Sequence, residues 1–307
     1  MSTLPKPTIE SVLQQTREET GLAPSELRIL MTHITGFDRV GLVTKGNREL
    51  PMDQLSAFKS LAAKRQQGEP IAYLVQQKEF YSRPFFVDPR VLIPRPETEE
   101  LVEHALGFLQ SKSTENLLTR VLDIGCGSGA IAVSLALENP ILEVTATDIS
   151  ADALWVAQFN ANELGAKNIR FLQSDLFENL LNQTPPLAFD LICSNPPYIE
   201  LGDEHLSQGD LRFEPQQALT DGGDGLHFYR EIAQHSPSLL RAGGGVLVEH
   251  GHTQQEAVKA LFSKAPYVDV QGLPDLAGTP RFVFARIENE RFIPTSITLQ
   301  GCSNPSN

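Results

Sequence analysis

From residue 120 onward the chain alternates short β-branched runs with stretches of helical period. That alternation restricts its fold more than any other feature. Strands are predicted over 120–124, 143–147, 169–172, 189–194, 245–249 and 281–286, and helices over 129–138, 151–164, 226–241 and 253–264. A helix that follows one strand returns the chain to the same end of the sheet, so the next strand runs parallel and helices cover both faces. Strands buried on both sides need a large apolar core, and 307 residues at 41% hydrophobic content supply one.

Upstream the period differs. Ile9, Val12 and Leu13 recur at helix spacing, as do Leu27, Leu30, Met31 and Ile34, then Leu55, Phe58, Leu61 and Ala62. Gly21, Gly36 and Gly46–Asn47 punctuate them as ends or turns. Residues 1–78 therefore read as a small helical bundle, either a packing module or a substrate-recognition module. Phe80–Tyr81 and Phe85–Val87 flank Ser82, Arg83 and Pro84, which reads as a hairpin turning at those three residues. An extended, proline-rich stretch follows as far as Pro96, and a helix is expected from Glu97 to Leu109. The divisions are 1–78 for the bundle, 79–96 for hairpin and linker, 97–290 for the α/β domain, and 291–307 for a polar tail expected to be disordered.

Two motifs carry chemistry. The first is the turn after the strand at 120–124, where Gly125, Cys126, Gly127, Ser128 and Gly129 follow Asp123 and Ile124. Alternating glycines let the backbone turn sharply and approach a ligand with no Cβ between them. A tight strand–helix connection would look the same. The GxGxG spacing is not the GxGxxG of dinucleotide folds, and no Lys-Ser or Lys-Thr follows to make a phosphate loop. Asp148 closes the next strand, where a carboxylate can accept both hydroxyls of a ribose. Asp175, after the third strand, reads equally as a ligand for an adenine amino group or as a solvated loop acid.

The second motif is more specific: Asn195, Pro196, Pro197 and Tyr198 end the fourth strand. Neither proline can donate to a neighbouring strand, so pairing stops and the chain path is set. The Asn195 side chain and the Pro196 carbonyl can then converge as two adjacent acceptors, which suits a planar NH₂ group with two hydrogens. Such a nitrogen is a poor nucleophile because its lone pair is delocalised. Holding both N–H bonds aims it at an electrophilic methyl group and favours tetrahedral geometry. The ring of Tyr198 would pack on the planar group.

These two motifs resemble the amino-methylating class I methyltransferases. The remaining chain is similar to the release-factor glutamine methyltransferases, the HemK/PrmC family. The similarity lies in Gly68 to Tyr73, Glu79 to Tyr81, Val91 to Glu99, Gly209 to Pro215, Glu249 to Gly251, and Asp275 to Gly278 with Arg281, and it spans about residues 20 to 287. Ribosomal-protein glutamine methyltransferases share the Asn-Pro-Pro-Tyr motif but typically differ where this chain has Arg95, Pro96, Glu97 and Thr98. Leu176 stands where several members carry an aromatic, and Cys126 stands where Thr or Ala is commoner.

The resemblance implies an α/β fold, a Rossmann-like class I domain with a mostly parallel seven-stranded sheet behind a helical bundle and hairpin linker. It implies methyl transfer from S-adenosylmethionine to the glutamine amide nitrogen in the Gly-Gly-Gln motif of class 1 peptide chain release factors; separately, a monomer is expected. It assigns Gly125, Cys126, Gly127, Ser128, Gly129, Asp148, Asp175, Leu176 and Asn195 to the cofactor, and Asn195, Pro196, Pro197 and Tyr198 to the glutamine. Arg95, Glu97 and Thr98 either line the substrate pocket or cap a helix. His250 and His252 near Glu249 read as loop residues rather than metal ligands, and no metal is expected.

Charge separates this reading from a nucleic-acid enzyme that flips a base to reach its NH₂. Lys and Arg number 25 against 38 Asp and Glu, a net charge of −13, and residues 1–78 hold no basic cluster beyond Lys64–Arg65. No specific nucleic-acid partner is expected. A non-catalytic cofactor-binding scaffold would not need the Asn-Pro-Pro-Tyr turn. The three cysteines, Cys126, Cys193 and Cys302, have no CxxC spacing, so neither a zinc ribbon nor a disulfide framework is expected. No leader or membrane-length apolar run is found, and the expected location is the cytoplasm.

Overall fold

The computed structural model describes residues 6–112, 118–184, 186–264 and 266–288. Helix α1 (Ile9–Thr20) starts where the Thr8 hydroxyl accepts the Ser11 N–H and the Ser11 hydroxyl accepts that of Thr8. It stops at Gly21, whose left-handed φ of 71° costs a glycine least. Helices α2 (Pro24–Thr35), α3 (Arg39–Thr44), α4 (Met52–Gln66) and α5 (Ile71–Leu74) complete the bundle. Ile9, Val12, Leu27, Leu30, Met31, Phe58 and Ala62, the residues whose period marked these helices, fill its core.

Strands β1 (Gln77–Phe80) and β2 (Arg83–Phe86) form a hairpin, but it turns at Tyr81 and Ser82 rather than across Ser82, Arg83 and Pro84. Both turn residues have positive φ, 50° and 57°, the conformation whose twist matches flanking strands. Pro84 pairs with Glu79 inside the ribbon, where an edge position leaves no N–H to be missed. Phe80 and Phe85 meet edge-to-face in the main core. The Tyr81 N–H donates to Glu99 on helix α6 (Thr98–Lys112), 2.9 Å away.

The sheet follows. Strands β3 (Arg120–Ile124), β4 (Glu143–Asp148), β5 (Ile169–Gln173), β6 (Phe189–Ser194) and β7 (Leu240–Glu249) are parallel. They are joined through α7 (Ala130–Glu138), α8 (Ala151–Leu164), α9 (Glu178–Leu181) and α10 (His227–Leu239). Helix α11 (Gln255–Phe262) leads to β8 (Tyr267–Pro274) and β9 (Pro280–Ile287), and β9 is antiparallel to both β7 and β8. The spatial order β5-β4-β3-β6-β7-β9-β8 is the mostly parallel seven-stranded sheet that the resemblance implies.

Successive strand residues point to opposite faces. Val121, Leu191 and Leu247 pack with α6, α7 and α8, whereas Leu122, Ile192 and Val248 pack with α9, α10 and α11. Strand β8 escapes the sequence pattern. Among its residues only Tyr267 is buried, Asp269 has a positive φ, and its pairing with β9 shifts register. The helix expected through residue 241 ends at Leu239, because Leu240 pairs with Phe189 and draws Arg241 into β7. The expected disordered tail at 291–307, with Cys302, lies outside the described residues.

A smaller cluster fixes the linker. Tyr73, Val87, Val91 and Ile93 pack on Ala153 and Val156 of α8, and the Tyr73 hydroxyl donates to the Val91 carbonyl at 2.6 Å. The proline-rich segment is thereby laid across the carboxyl ends of the strands.

Candidate active site

Ile124 pairs with both Thr147 and Ser194, and Ser194 with Val248, so β3, β4, β6 and β7 end at one level. In a parallel sheet this is the edge at which ligands bind. A cleft of about 420 Å³ lies there. Gly125, Cys126, Gly127 and Ser128 line it. Gly125 and Gly127 have positive φ, 71° and 53°, and a Cβ on either would stand in open space. Bare backbone thus faces the cleft. Gly129 differs: it does not line the cleft, and its missing Cβ would press on Ala157 at 3.0 Å. That glycine lets α7 approach α8, a packing role that its spacing in the motif did not disclose.

Behind the loop Asp123 is fully buried. One of its oxygens accepts the Ala132 N–H at 3.1 Å, and the other has no partner. Burial raises its carboxyl to about 7, against the Ala132 bond and with help from the nearby charge of Asp148.

Asp148 accepts the Gly127 N–H on Oδ2 and the Ser150 N–H on Oδ1, each at 2.9 Å. A carboxylate has about four acceptor sites in all, so capacity remains for a ligand hydroxyl. Burial raises its pKa, and backbone bonds from Ser150, Gly127 and Ile149 oppose the rise. Asp175 and Leu176 line the same cleft, and so does Ile149, which is 55% exposed. The signal for Ile149 was its place directly after the strand-ending acid. Leu176 holds a left-handed φ of 43°, strain of the kind that accumulates at ligand sites.

Asn195 and Pro196 line this cleft and also a second, outer cavity of about 530 Å³. Pro197 faces only the first and Tyr198 only the second. The Asn-Pro-Pro-Tyr turn is the partition between them. Burial, and the charge of Glu249, push the Tyr198 phenol up to about 12, so it stays neutral.

The linker residues separate. Thr98 is buried beside Asn195: its hydroxyl donates to Glu249 Oε2 at 2.7 Å and accepts the Asn195 amide N–H at 3.1 Å. Arg95 borders both cavities and pairs with the buried Glu214 at 2.5 Å, while Glu214 also accepts the Ile93 N–H. Glu97 is exposed and lines neither cavity. Glu249 entered the sequence reading within a family-like segment and beside two histidines; sequence separation hid its contact with Thr98. His250 is buried, with Nδ1 2.8 Å from the Gly251 carbonyl, and His252 is exposed. Among the described residues no cluster of three His, Cys, Asp or Glu could hold a metal, and no helix is long and apolar enough to cross a membrane.

Comparison with known proteins agrees with this geometry. Residues 9–75 match the family described as the PrmC N-terminal domain, and residues 116–287 match a methyltransferase domain. The release factor glutamine methyltransferase of Neisseria gonorrhoeae is 46% identical over 261 residues, which is 85% of this chain and 92% of that protein. The Bordetella pertussis protein of the same name is 46% identical over 88% of this chain and 97% of its own, and the Escherichia coli one 43% over 85% and 91%. Among solved structures, the hMettl16 catalytic domain in complex with a MAT2A 3′UTR hairpin superposes with a TM-score of 0.53 at 14% identity, over 86% of this chain and 91% of that one, a likeness of fold. Matched over almost the full length of such relatives, the chain belongs to the release factor glutamine methyltransferase family.

Proposed function

We propose that this protein transfers a methyl group from S-adenosylmethionine to the side-chain amide nitrogen of the glutamine in the Gly-Gly-Gln motif of class 1 peptide chain release factors. The observation that carries the reading is the shared wall. Asn195 and Pro196 border both the cleft beneath the glycine loop and the outer cavity, so donor and acceptor can meet at one point from opposite sides.

The inner cleft fits the cofactor. Asp148 keeps acceptor capacity beyond its backbone bonds, as a ribose hydroxyl requires. Ile149 and Leu176 offer apolar cover to a planar base, and Asp175 offers a carboxylate to its amino group. Bound there, the cofactor would supply an electrophilic methyl group on a sulfonium that leaves as a neutral thioether. Asn195 Oδ1 and the Pro196 carbonyl accept the two N–H bonds of the glutamine amide and orient its nitrogen, with the Tyr198 ring beside it. The cationic amide first formed, methylated while its nitrogen still carries both hydrogens, is a strong acid, so its extra proton passes to water without a dedicated base.

Substrate choice falls to the bundle and the outer rim. Arg65 of α4 pairs with Glu26 of α2 at 2.8 Å and with Asp210 on the outer cavity at 3.0 Å. A release factor gripped by residues 1–78 would thus present its loop to the adjoining cavity. Such a substrate places the enzyme in the cytoplasm. Labelled S-adenosylmethionine offered in parallel with purified release factors, ribosomal proteins and DNA tests the reading. Label on the release-factor glutamine supports it; label on a ribosomal protein alone, or on DNA adenine, refutes it.

A further inference from the structure

An asparagine amide can meet a substrate with its oxygen or, turned by half a rotation, with its NH₂. Only the oxygen accepts the N–H of an acceptor glutamine; the NH₂ would oppose it donor to donor. Which end faces inward is decided by what the other end binds, and here those partners are Thr98 and the Glu249 carboxyl behind it, which the Asn195 amide also reaches. Glu249 closes β7, 99% out of solvent, and receives the Thr98 hydroxyl at 2.7 Å. Thr98 opens α6 and receives the Asn195 N–H₂ at 3.1 Å.

We infer that Glu249, together with Thr98, sets which end of the Asn195 amide faces the acceptor, and that it does so only as a carboxylate. The inference rests on the glutamine-binding role given to Asn195 above. An ionised carboxyl can only accept, so the single hydroxyl hydrogen of Thr98 must point to it. The Thr98 oxygen is then left as an acceptor, which selects the NH₂ of Asn195 and turns Oδ1 toward the substrate. A protonated Glu249 could donate to Thr98 instead. The hydroxyl hydrogen would be released toward Asn195, and the flipped amide would become the better match.

The surroundings place this switch within reach of ordinary pH. Burial raises the Glu249 carboxyl to about 7; the Thr98 bond, the Arg281 guanidinium and the Asn195 amide pull it down, and the charge of Glu97 pushes it up. Two phenols face it as well, Tyr198 beside the site and Tyr229, whose hydroxyl donates to the Glu249 carbonyl at 2.8 Å. Glu249 and Thr98 are positioning residues; neither needs to touch the glutamine.

The test uses the full chain, a class 1 release factor and single-turnover methyl transfer across pH. Wild-type rate should rise with pH through an ionisation near neutrality. E249Q, isosteric but never ionised, should bind S-adenosylmethionine within about threefold of wild type; since either its oxygen or its NH₂ can face Thr98, its rate should fall below the wild-type alkaline plateau and lose the acid limb. T98V should transfer roughly 10²-fold more slowly, the scale of losing one preorganised polar contact, and T98S, which restores the hydroxyl, should recover at least about tenfold over T98V. N195A separates the two readings. If N195A is crippled while E249Q and T98V transfer at near wild-type rates with the acid limb intact, the positioning role is overturned. If N195A itself is near wild type, the glutamine-binding assignment fails.

Discussion

Replacing Asp148 by asparagine changes one atom and removes a charge, and the structure sets what that costs. Oδ1 and Oδ2 each accept a backbone N–H at 2.9 Å, from Ser150 and Gly127. An amide can satisfy only one of them. Its NH₂ must face the other N–H, which loosens either the glycine loop or the start of α8, and must also face one of the two ligand hydroxyls. Hydrogen bonds to charged groups contribute about 1.5–3 kcal/mol each. Part of that is offset because the free carboxylate is already penalised by burial, the cause of its raised pKa. A net loss of about 2 kcal/mol follows, close to 30-fold in Kd. Calorimetry with S-adenosylmethionine reads it directly. A 2′-deoxy analogue supplies the control, since it should bind wild type more weakly but cost D148N much less. D148N binding within about threefold of wild type, or an undiminished penalty for the missing hydroxyl, would refute the assignment of Asp148 to the ribose.

N195A should slow single-turnover transfer by about 10²–10³ and change cofactor affinity far less, because in the proposed function the lost acceptor serves the glutamine; a release factor with Glu in place of the acceptor Gln should be inert, and transfer to it would contradict the two-acceptor geometry. G245A should lower the unfolding midpoint by several degrees, for a Cβ there would stand 2.7 Å from the Phe284 ring and 3.2 Å from that of Phe108, overpacking that costs about 1–3 kcal/mol; an unchanged midpoint in thermal unfolding would show that the sheet yields there. Asp123 titrates near 7 when folded against 3.8 in its ordinary state, so the folded protein holds the extra proton and stability falls as pH rises across that interval. The midpoint should therefore be higher at pH about 5.5 than at about 8, and D123N, which keeps an acceptor for the Ala132 N–H, should flatten that slope; an unaltered slope would locate its origin elsewhere.

The α/β alternation and the two strand-end turns were legible in the chain because each is written in local periods and in residues with few backbone options. Gly125, Gly127 and the prolines at 196 and 197 declare their conformations without reference to distant neighbours. The hairpin was readable, but its turn was not. Tyr81 and Ser82 adopt left-handed backbone that neither residue favours, held where Glu99 of α6 accepts the Tyr81 N–H. Strand β8 was missed because its pairing with β9 is irregular and most of its side chains are at least partly exposed, so little apolar rhythm marks it. Gly129 read as part of a ligand loop, whereas its missing Cβ makes room for Ala157 on α8.

The candidate site divides along the same line. The sequence alone determined which groups to propose for a diol and a planar amide, since a strand-ending acid and an Asn-Pro turn carry that chemistry within a few residues. Only the tertiary structure joined Thr98 to Glu249, 151 positions apart, and Arg95 to Glu214, 119 apart. It alone made the Asn195–Pro196 turn a wall between two cavities. Local propensity acts over a turn or two of chain, whereas burial of a charge and the direction of a hydrogen bond are set by whatever the fold brings alongside, and that has no fixed spacing in sequence.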